Sequence, residues 1–151
     1  MKKYVFLLLV FALSITSCSL DDDDSSDYYL EVLPIENVDI PEQFIHGEVY
    51  EITMTYTRPT SCYQFNDFIY QIDGQTRTVA IVNTVYTGDI ANCIDENEEV
   101  TVSFDFMASG TETYLFKFFQ GEDAQGVDQY YIIEVPVVEE RHYGTGTTGR
   151  N

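Results

Sequence analysis

The sequence predicts a single all-β sandwich of about seven strands in residues 28–139. Apolar and polar residues alternate with a period of two over long stretches, and short turn-forming segments separate these stretches. Beyond the first seventeen residues, no stretch carries sustained apolar spacing of the helical kind. Because successive side chains of a strand point to opposite faces of a sheet, this alternation is typical of half-buried antiparallel strands.

The alternation is clearest in residues 48–56, where tyrosine, isoleucine and methionine face one way and glutamate and threonine face the other. It returns in residues 100–106 and 131–137, and four further segments are rich in β-branched and aromatic residues. The seven predicted strands, A to G in chain order, are 29–33, 48–56, 65–72, 77–86, 100–106, 114–119 and 131–137.

The breaks between the predicted strands carry turn residues, among them Pro59, Gly74, Gly88 and Gly110. Seven short strands separated in this way resemble an immunoglobulin-like antiparallel sandwich. In that architecture the B–C, D–E and F–G loops emerge at one end of the molecule. The segment 110–116 also looks like a tyrosine corner, in which the Tyr114 hydroxyl bonds to the backbone upstream; an ordinary core tyrosine is the alternative.

The first seventeen residues have the layout of a secretory signal peptide. Lys2 and Lys3 precede an apolar run of about twelve residues, which would span roughly 18 Å as a helix, less than the ~30 Å bilayer core. The following Thr16-Ser17-Cys18 resembles the lipobox of bacterial lipoproteins, which implies cleavage after Ser17 and acylation of Cys18. The bilayer is then a partner through the acylated cysteine. The alternative is an ordinary signal peptide with an incidental cysteine.

The two flanking segments of the domain are expected to be disordered. Residues 18–27 include four consecutive aspartates and form an acidic tether, and residues 140–151 form a tail rich in glycine and threonine. An acidic stretch behind a lipidated cysteine resembles the export signal of surface lipoproteins in the Bacteroidetes group. This resemblance implies an outer-membrane protein exposed at the cell surface; a solvated spacer facing the periplasm is the alternative.

The charge of the chain excludes some partner classes. The full sequence has a formal charge of −19, and removal of residues 1–17, which contain two lysines and no acid, makes it −21. Nucleic acid is therefore not expected as a partner, nor is attraction to anionic lipid. An extracellular or envelope protein is the expected partner.

Two cysteines remain once Cys18 is assigned to lipidation. Cys62 and Cys93 fall in the predicted B–C and D–E loops, at the same end of an immunoglobulin-like sandwich. Outside the cytoplasm thiols oxidise, so we expect a disulfide between them. Free thiols or a metal site are the competing interpretations.

Motifs of enzymes are not found, and the sequence predicts neither catalysis nor a cofactor. The two histidines, His46 and His142, lie before strand B and in the tail, where neither joins a catalytic or metal-binding array. Acidic residues near the loops make calcium the strongest candidate ion, although their spacing matches no known calcium loop. No metal is assigned; the weak calcium candidates are Asp89, Asp95 and Asp128.

Aromatic residues are abundant, with twelve tyrosines and ten phenylalanines. This number exceeds what seven short strands can bury, and exposed tyrosines suit contact with proteins or glycans. The absence of tryptophan weakens the case for glycan binding. Six phenylalanines are expected in the core: Phe65, Phe68, Phe104, Phe106, Phe116 and Phe118.

Several motifs follow one another along the chain: Gly47, 58–63, 104–106, Gly110, 114–116 and 132–135. Their order resembles that of the chagasin-type inhibitors of cysteine peptidases, which are immunoglobulin-like domains. In that family the B–C loop reads Asn-Pro-Thr-Thr-Gly followed by an aromatic residue. Pro59, Thr60 and Tyr63 match this pattern, whereas residues 58, 61 and 62 depart from it. The Arg-Pro-aromatic signature of the last loop is missing near residues 120–122.

The sequence therefore predicts a lipid-anchored, non-catalytic immunoglobulin-like binding module that uses the disulfide-tied loops. Peptidase inhibition and calcium or glycan binding are the alternatives. The residues expected at the binding face are Pro59, Thr60, Ser61, Tyr63, Glu122 and Asp123.

Overall fold

The computed structural model describes residues 27–88 and 92–139, which contain ten strands and no helix. The predicted signal peptide, Cys18, the acidic tether up to residue 26, Asp89 and the tail lie outside the described residues. The strands are β1 (Tyr28–Leu33), β2 (Asn37–Asp39), β3 (Phe44–Ile45), β4 (Val49–Thr60), β5 (Tyr63–Asp73), β6 (Thr76–Tyr86), β7 (Asp95–Met107), β8 (Tyr114–Glu122), β9 (Asp128–Val135) and β10 (Val137–Val138).

The strands form a sandwich of two main sheets, so the predicted all-β sandwich is confirmed. One sheet has three strands in the order β2-β4-β7, and the other has five. In the five-stranded sheet β5 pairs along one edge of β6. The other edge of β6 is shared between β8, which runs parallel to residues 76–79, and β1, which runs antiparallel to residues 81–86. Strand β9 pairs with β8, and β3 and β10 form a small parallel pair.

The pairing differs from the predicted antiparallel arrangement of seven strands. All seven predicted strands are present as β1 and β4 to β9. Strands β2, β3 and β10 were missed because they are only two or three residues long, too short to show alternation. Two pairings are parallel, β6 with β8 and β3 with β10. Between β6 and β8 the chain passes through β7, which belongs to the other sheet. Strand β8 therefore runs parallel to β6 when the chain returns to the first sheet. Strand β6, which is predicted strand D, also pairs with β5, which is predicted strand C. The immunoglobulin arrangement instead places strand D beside strand E, which is β7 here.

A cluster of aromatic rings fills one end of the core. Phe44 is fully buried, and its ring centroid lies 4.8 Å from that of Tyr50 and 5.1 Å from that of Phe106. Tyr114 and Phe116 meet the same ring edge-on at 6.1 Å. Such tilted and edge-to-face contacts are the preferred geometry of aromatic pairs. The β3–β10 pair thus positions the Phe44 side chain over this end of the core.

One long side of the sandwich is closed by the backbone between β1 and β2. The amide of Ile35 donates to the carbonyl of Phe119 in the five-stranded sheet at 2.8 Å. The next amide, that of Glu36, donates to the carbonyl of Thr55 in the three-stranded sheet at 2.9 Å. On the other long side the edges of β5 and β7 have no strand partner among the described residues. We call this second side the open side.

The two ends of the sandwich differ as well. At the first, the entry end, the turn 61–62 joins β4 to β5, and the carbonyl of Asp27 accepts a hydrogen bond from the Thr87 amide at 2.7 Å. The chain therefore enters the domain there. At the opposite, hairpin end, β5 turns into β6 through Gly74, whose φ of +56° favours glycine, and residues 108–113 join β7 to β8.

The predicted tyrosine corner is present at the hairpin end. The Tyr114 hydroxyl accepts a hydrogen bond from the Gly110 amide at 2.6 Å, and the Tyr114 side chain is 1 % exposed. A Cβ atom added at Gly110 would lie 2.7 Å from Nε2 of Gln75 and 2.8 Å from the Tyr114 hydroxyl. The corner therefore depends on a glycine at this position.

We expect Tyr114→Phe to lower the free energy of unfolding by about 1–3 kcal/mol, because the Gly110 amide loses its acceptor. Gly110→Ala should destabilise the domain through the close approaches of the new methyl group. Thermal denaturation followed by circular dichroism measures both. Tyr131→Phe is the control, since Tyr131 is 48 % exposed and should tolerate the change. Equal melting temperatures for all variants would contradict a stabilising corner.

Candidate functional site

The open side of the sandwich contains a cleft of about 380 Å³ between β5 and β7. This volume lies within the usual range of small ligand sites. Its lining consists of residues from both edge strands, the start of β6 and the segment after β7: Asp67, Phe68, Tyr70, Ile72, Arg77, Phe104, Asp105, Phe106, Met107 and Ser109.

Aromatic contacts across the open side form the wall of the cleft. The ring centroid of Phe104 in β7 lies 5.5 Å from those of both Phe68 and Tyr70 in β5, with interplanar angles of 62° and 69°. These contacts join the two sheets across the open side. Nearer the hairpin end, Ile72 and Met107 are 65 % and 59 % exposed, which is high for apolar side chains. The cleft therefore opens to solvent over an apolar surface.

Arg77 supplies positive charge to the lining and is only 8 % exposed. Its Nη1 donates to the carbonyls of Gly74 at 2.7 Å and Thr76 at 2.9 Å. The guanidinium carbon also lies 4.9 Å from the ring centroid of Tyr114, in cation–π geometry. The hairpin turn and the tyrosine corner together therefore hold the guanidinium in place.

The hydroxyl of Tyr70 shares this environment. Burial raises its pKa, and the neighbouring Arg77 acts in the opposite direction through its charge and hydrogen bonding. Tyr70 is therefore neutral near pH 7 and presents a hydrogen-bonding group beside the cation. Asp67 and Asp105 also line the cleft, but they occupy outward-facing positions of β5 and β7, opposite Val82 and Glu51.

The binding residues predicted in the B–C loop lie in strands and a tight turn. Pro59 and Thr60 end β4 at an irregularity in the pairing with β7, where a residue without an amide hydrogen is tolerated. Tyr63 begins β5, and its hydroxyl donates to Oε2 of Glu31 at 2.8 Å. Burial and the contact with Glu31 raise the pKa of Tyr63. These half-buried side chains belong to the strands β4 and β5 and do not form a projecting loop.

A charged cluster supports this strand end. Arg58 of β4 forms ion pairs with Glu96, at 2.9 Å, and with Glu98 of the neighbouring β7. The hydrogen bond from Arg58 to Glu98 raises the pKa of the arginine. Because both ion pairs are partly exposed, they contribute little to stability and mainly fix the register of β4 against β7.

Cys62 and Cys93 form the predicted disulfide, with their Cα atoms 5.2 Å apart. Hydrogen bonds reinforce the same connection: the Ser61 amide donates to the carbonyl of Ile94, and the Ile94 amide donates to the Ser61 hydroxyl, both at 3.0 Å. The Tyr86 amide donates to the Cys62 carbonyl at 3.1 Å. Ser61 is thus occupied in holding the entry end together.

The other predicted loop residues lie in the turn between β8 and β9. Oδ1 of Asp123 accepts hydrogen bonds from the amides of Gln125 and Val127, both at 2.9 Å, so its carboxylate stabilises its own turn. Glu122 is exposed and pairs with Asp128 across the turn. The structure does not bring Glu122 and Asp123 into the cleft between β5 and β7.

The two described calcium candidates lie in different strands. Asp95 begins β7 opposite Thr60, and Asp128 begins β9, where its Oδ2 accepts a hydrogen bond from Tyr130. Within residues 27–88 and 92–139, no group of three or more His, Cys, Asp or Glu side chains could hold a metal ion.

A second exposed aromatic group lies at the entry end. Tyr28 and Tyr86 are 50 % and 42 % exposed, and their rings are 6.4 Å apart across β1 and β6. These tyrosines agree with the expectation that the core cannot hold every aromatic residue. They belong to an outward-facing surface of the sheet, whereas the cleft on the open side is concave.

Three of the six phenylalanines expected in the core are buried, namely Phe106, Phe116 and Phe118. Phe65 is 40 % exposed, and Phe68 and Phe104 form the partly exposed wall of the cleft. The sequence did carry a signal for Arg77, because the cation occupies the same phase of the alternation as Val79 and Ile81. A charged residue in the core-facing phase of a strand marks an exception to simple packing.

No protein-family model matches the chain, and neither curated proteins nor solved structures give a significant match. Among the residues that the structure describes, no helix is long and apolar enough to cross a membrane. The geometry of the described residues therefore carries the functional argument.

Single replacement of Cys62 by serine should destabilise the domain by about 3 kcal/mol in the chain-entropy model, since the bond closes a long loop. The melting temperature should fall, and Cys93 should become open to alkylation. Chemical denaturation and mass spectrometry after iodoacetamide treatment measure the two effects. The double replacement of Cys62 and Cys93 by serine is the control for effects of a free thiol. Alkylation of both cysteines in the unreduced wild type would contradict the bond.

Proposed function

We propose that this protein is a lipid-anchored, non-catalytic binding module of the bacterial outer membrane whose ligand occupies the cleft between β5 and β7. The observation that carries the proposal is an open, aromatic-walled cleft between two strand edges that have no strand partner among the described residues. Exposed strand edges and apolar grooves are two general means by which domains bind extended polypeptides. An extracellular or envelope protein is the proposed class of partner.

The lining of the cleft supports binding over catalysis. It contains aspartate, arginine, tyrosine and serine but neither histidine nor cysteine among the described residues. Histidine is the commonest general base near neutral pH, and cysteine is a common nucleophile. The two carboxylates, those of Asp67 and Asp105, belong to outward-facing positions on different strands.

The orientation of the cleft suits display at a surface. The chain enters the domain at the entry end, where Asp27 bonds to Thr87. An anchor at Cys18 would therefore hold the entry end nearest the membrane. The cleft extends along the open side toward Ile72, Met107 and the hairpin end, away from that attachment. A ligand from the medium would then meet the cleft before it meets the entry end.

The anchor is tested by Cys18→Ala. Loss of the acylated cysteine should move the protein from the membrane fraction to the soluble fraction, because acyl chains supply the proposed anchor. Immunoblotting of fractions and mass spectrometry of the amino-terminal peptide measure the change. Ser19→Ala is the control and should leave the protein in the membrane fraction. An unchanged distribution of the Cys18→Ala protein would remove lipidation from the proposal.

The cleft is tested by a photo-crosslinking amino acid placed at Ile72 on intact cells. Position 72 lies in the cleft and is well exposed, so the probe should join the bound partner. The control carries the probe at Thr101, an exposed outward-facing position of β7 opposite Thr55. Adducts specific to position 72, and reduced by Phe104→Ala, are the expected result. Equal labelling from positions 72 and 101, or none, would contradict a ligand in the cleft.

A further inference from the structure

Arg77 differs from the other cations of the described residues. Three occur in residues 27–88 and 92–139, namely Arg58, Arg77 and Lys117. Arg58 is paired with two glutamates, and the ammonium of Lys117 lies 4.3 Å from the ring centroid of Tyr130. Arg77 is the most buried of the three, yet none of the described carboxylates forms an ion pair with it. Its burial therefore lacks the usual charge compensation.

The groups around Arg77 stabilise the cation only in part. A buried charge is costly unless it is paired and hydrogen-bonded. Here the Gly74 and Thr76 carbonyls and the Tyr114 ring provide partial negative charge but no anion. Nη1 bonds to both carbonyls, and the guanidinium also hydrogen-bonds to the neutral Tyr70 side chain. Because a guanidinium has five donors, some remain for the cleft that Arg77 lines. A carboxylate is the natural partner, because it matches the planar arrangement of those donors.

We propose that Arg77 binds the terminal carboxylate of a partner polypeptide whose last residues lie extended and apolar in the cleft. This inference rests on the proposed function of the cleft. An extended chain suits the site because the edges of β5 and β7 flank it, and alternate side chains of such a chain can meet the aromatic wall. The volume of about 380 Å³ limits the enclosed part to a few side chains.

The acidic residues at the rim refine the ligand class. Asp67 and Asp105 line the mouth from outward-facing positions on the two strands. They oppose the entry of a ligand that carries several negative charges, and they favour a basic group placed before the terminal residues. The predicted ligand end is therefore a basic residue, then alternating apolar residues, then a free carboxylate held by Arg77.

The test compares two forms of one peptide by isothermal titration with the full-length protein in detergent. The probe is a hexapeptide of one lysine followed by alternating valine and threonine, ending in phenylalanine with either a free carboxylate or an amide. The acid should bind at least about tenfold more tightly than the amide, because only the acid pairs with Arg77. Equal affinities in the wild type, or no binding of either peptide, would overturn the inference.

Variants assign the preference to Arg77. Arg77→Gln should reduce the affinity of the acid to that of the amide, and Arg77→Lys should keep a smaller preference because the charge remains without the fork of donors. Lys117→Gln is the matched control, which removes a cation outside the cleft and should leave the preference intact. Circular dichroism melts verify that each variant folds. An unchanged preference in Arg77→Gln or Arg77→Lys would overturn the assignment.

Two further outcomes separate this inference from the proposal on which it rests. If both peptides bind equally and Phe104→Ala weakens both, the binding cleft stands and recognition of a carboxylate fails. If 3-phenylpropanoate binds as tightly as the peptide with the free terminal carboxylate, the strand edges contribute nothing to the affinity. A small free acid is then the ligand instead. Failure of the crosslinking from position 72 would remove the cleft itself.

Discussion

The passage of the backbone from one sheet to the other at Ser61 and Cys62 is the constraint on which the rest of the structure depends. Strands β4 and β5 are long, and they belong to different sheets although only two residues separate them. The disulfide to Cys93 and the paired hydrogen bonds between Ser61 and Ile94 place the start of β7 beside this turn. The edges of β5 and β7 are thereby brought to the same side, joined at one end and separated by a cleft farther along.

The far end is held by packing and polar contacts instead of a covalent bond. Phe44 covers the core there, while the Tyr114 hydroxyl fixes the segment after β7 through Gly110. Arg77 connects these features, because its guanidinium bonds to the hairpin carbonyl of Gly74 and lies over the Tyr114 ring. Because Arg77 also lines the cleft, the contacts that hold its guanidinium in place for the fold would also position it for the proposed binding of a carboxylate.

Local patterns predicted the strands and several details but not their partners. Alternation located three of the seven predicted strands, and β-branched and aromatic composition located the other four. The compartment implied by the amino terminus led to the Cys62–Cys93 bond. The resemblance of the segment 110–116 to a tyrosine corner led to the bond between Gly110 and Tyr114. Pairing of β6 with β8 depends on β7 leaving for the other sheet, which no local pattern reports. The same reason explains the error at Pro59 and Thr60: turn residues predicted a loop, whereas pairing with β7 extends β4 through them.

Negative charge protects the two strand edges that have no strand partner among the described residues. An exposed strand edge is a template for pairing with another copy of the same chain, and charged residues are a common protection against it. Strand β7 carries Asp95, Glu96, Glu98, Glu99 and Asp105, and β5 carries Asp67 and Asp73. In a chain of formal charge −19, edge-to-edge pairing of two copies would bring like charges together. A partner segment without acidic residues would not meet this repulsion, so the charge that opposes pairing of two copies does not oppose binding of a different polypeptide in the cleft.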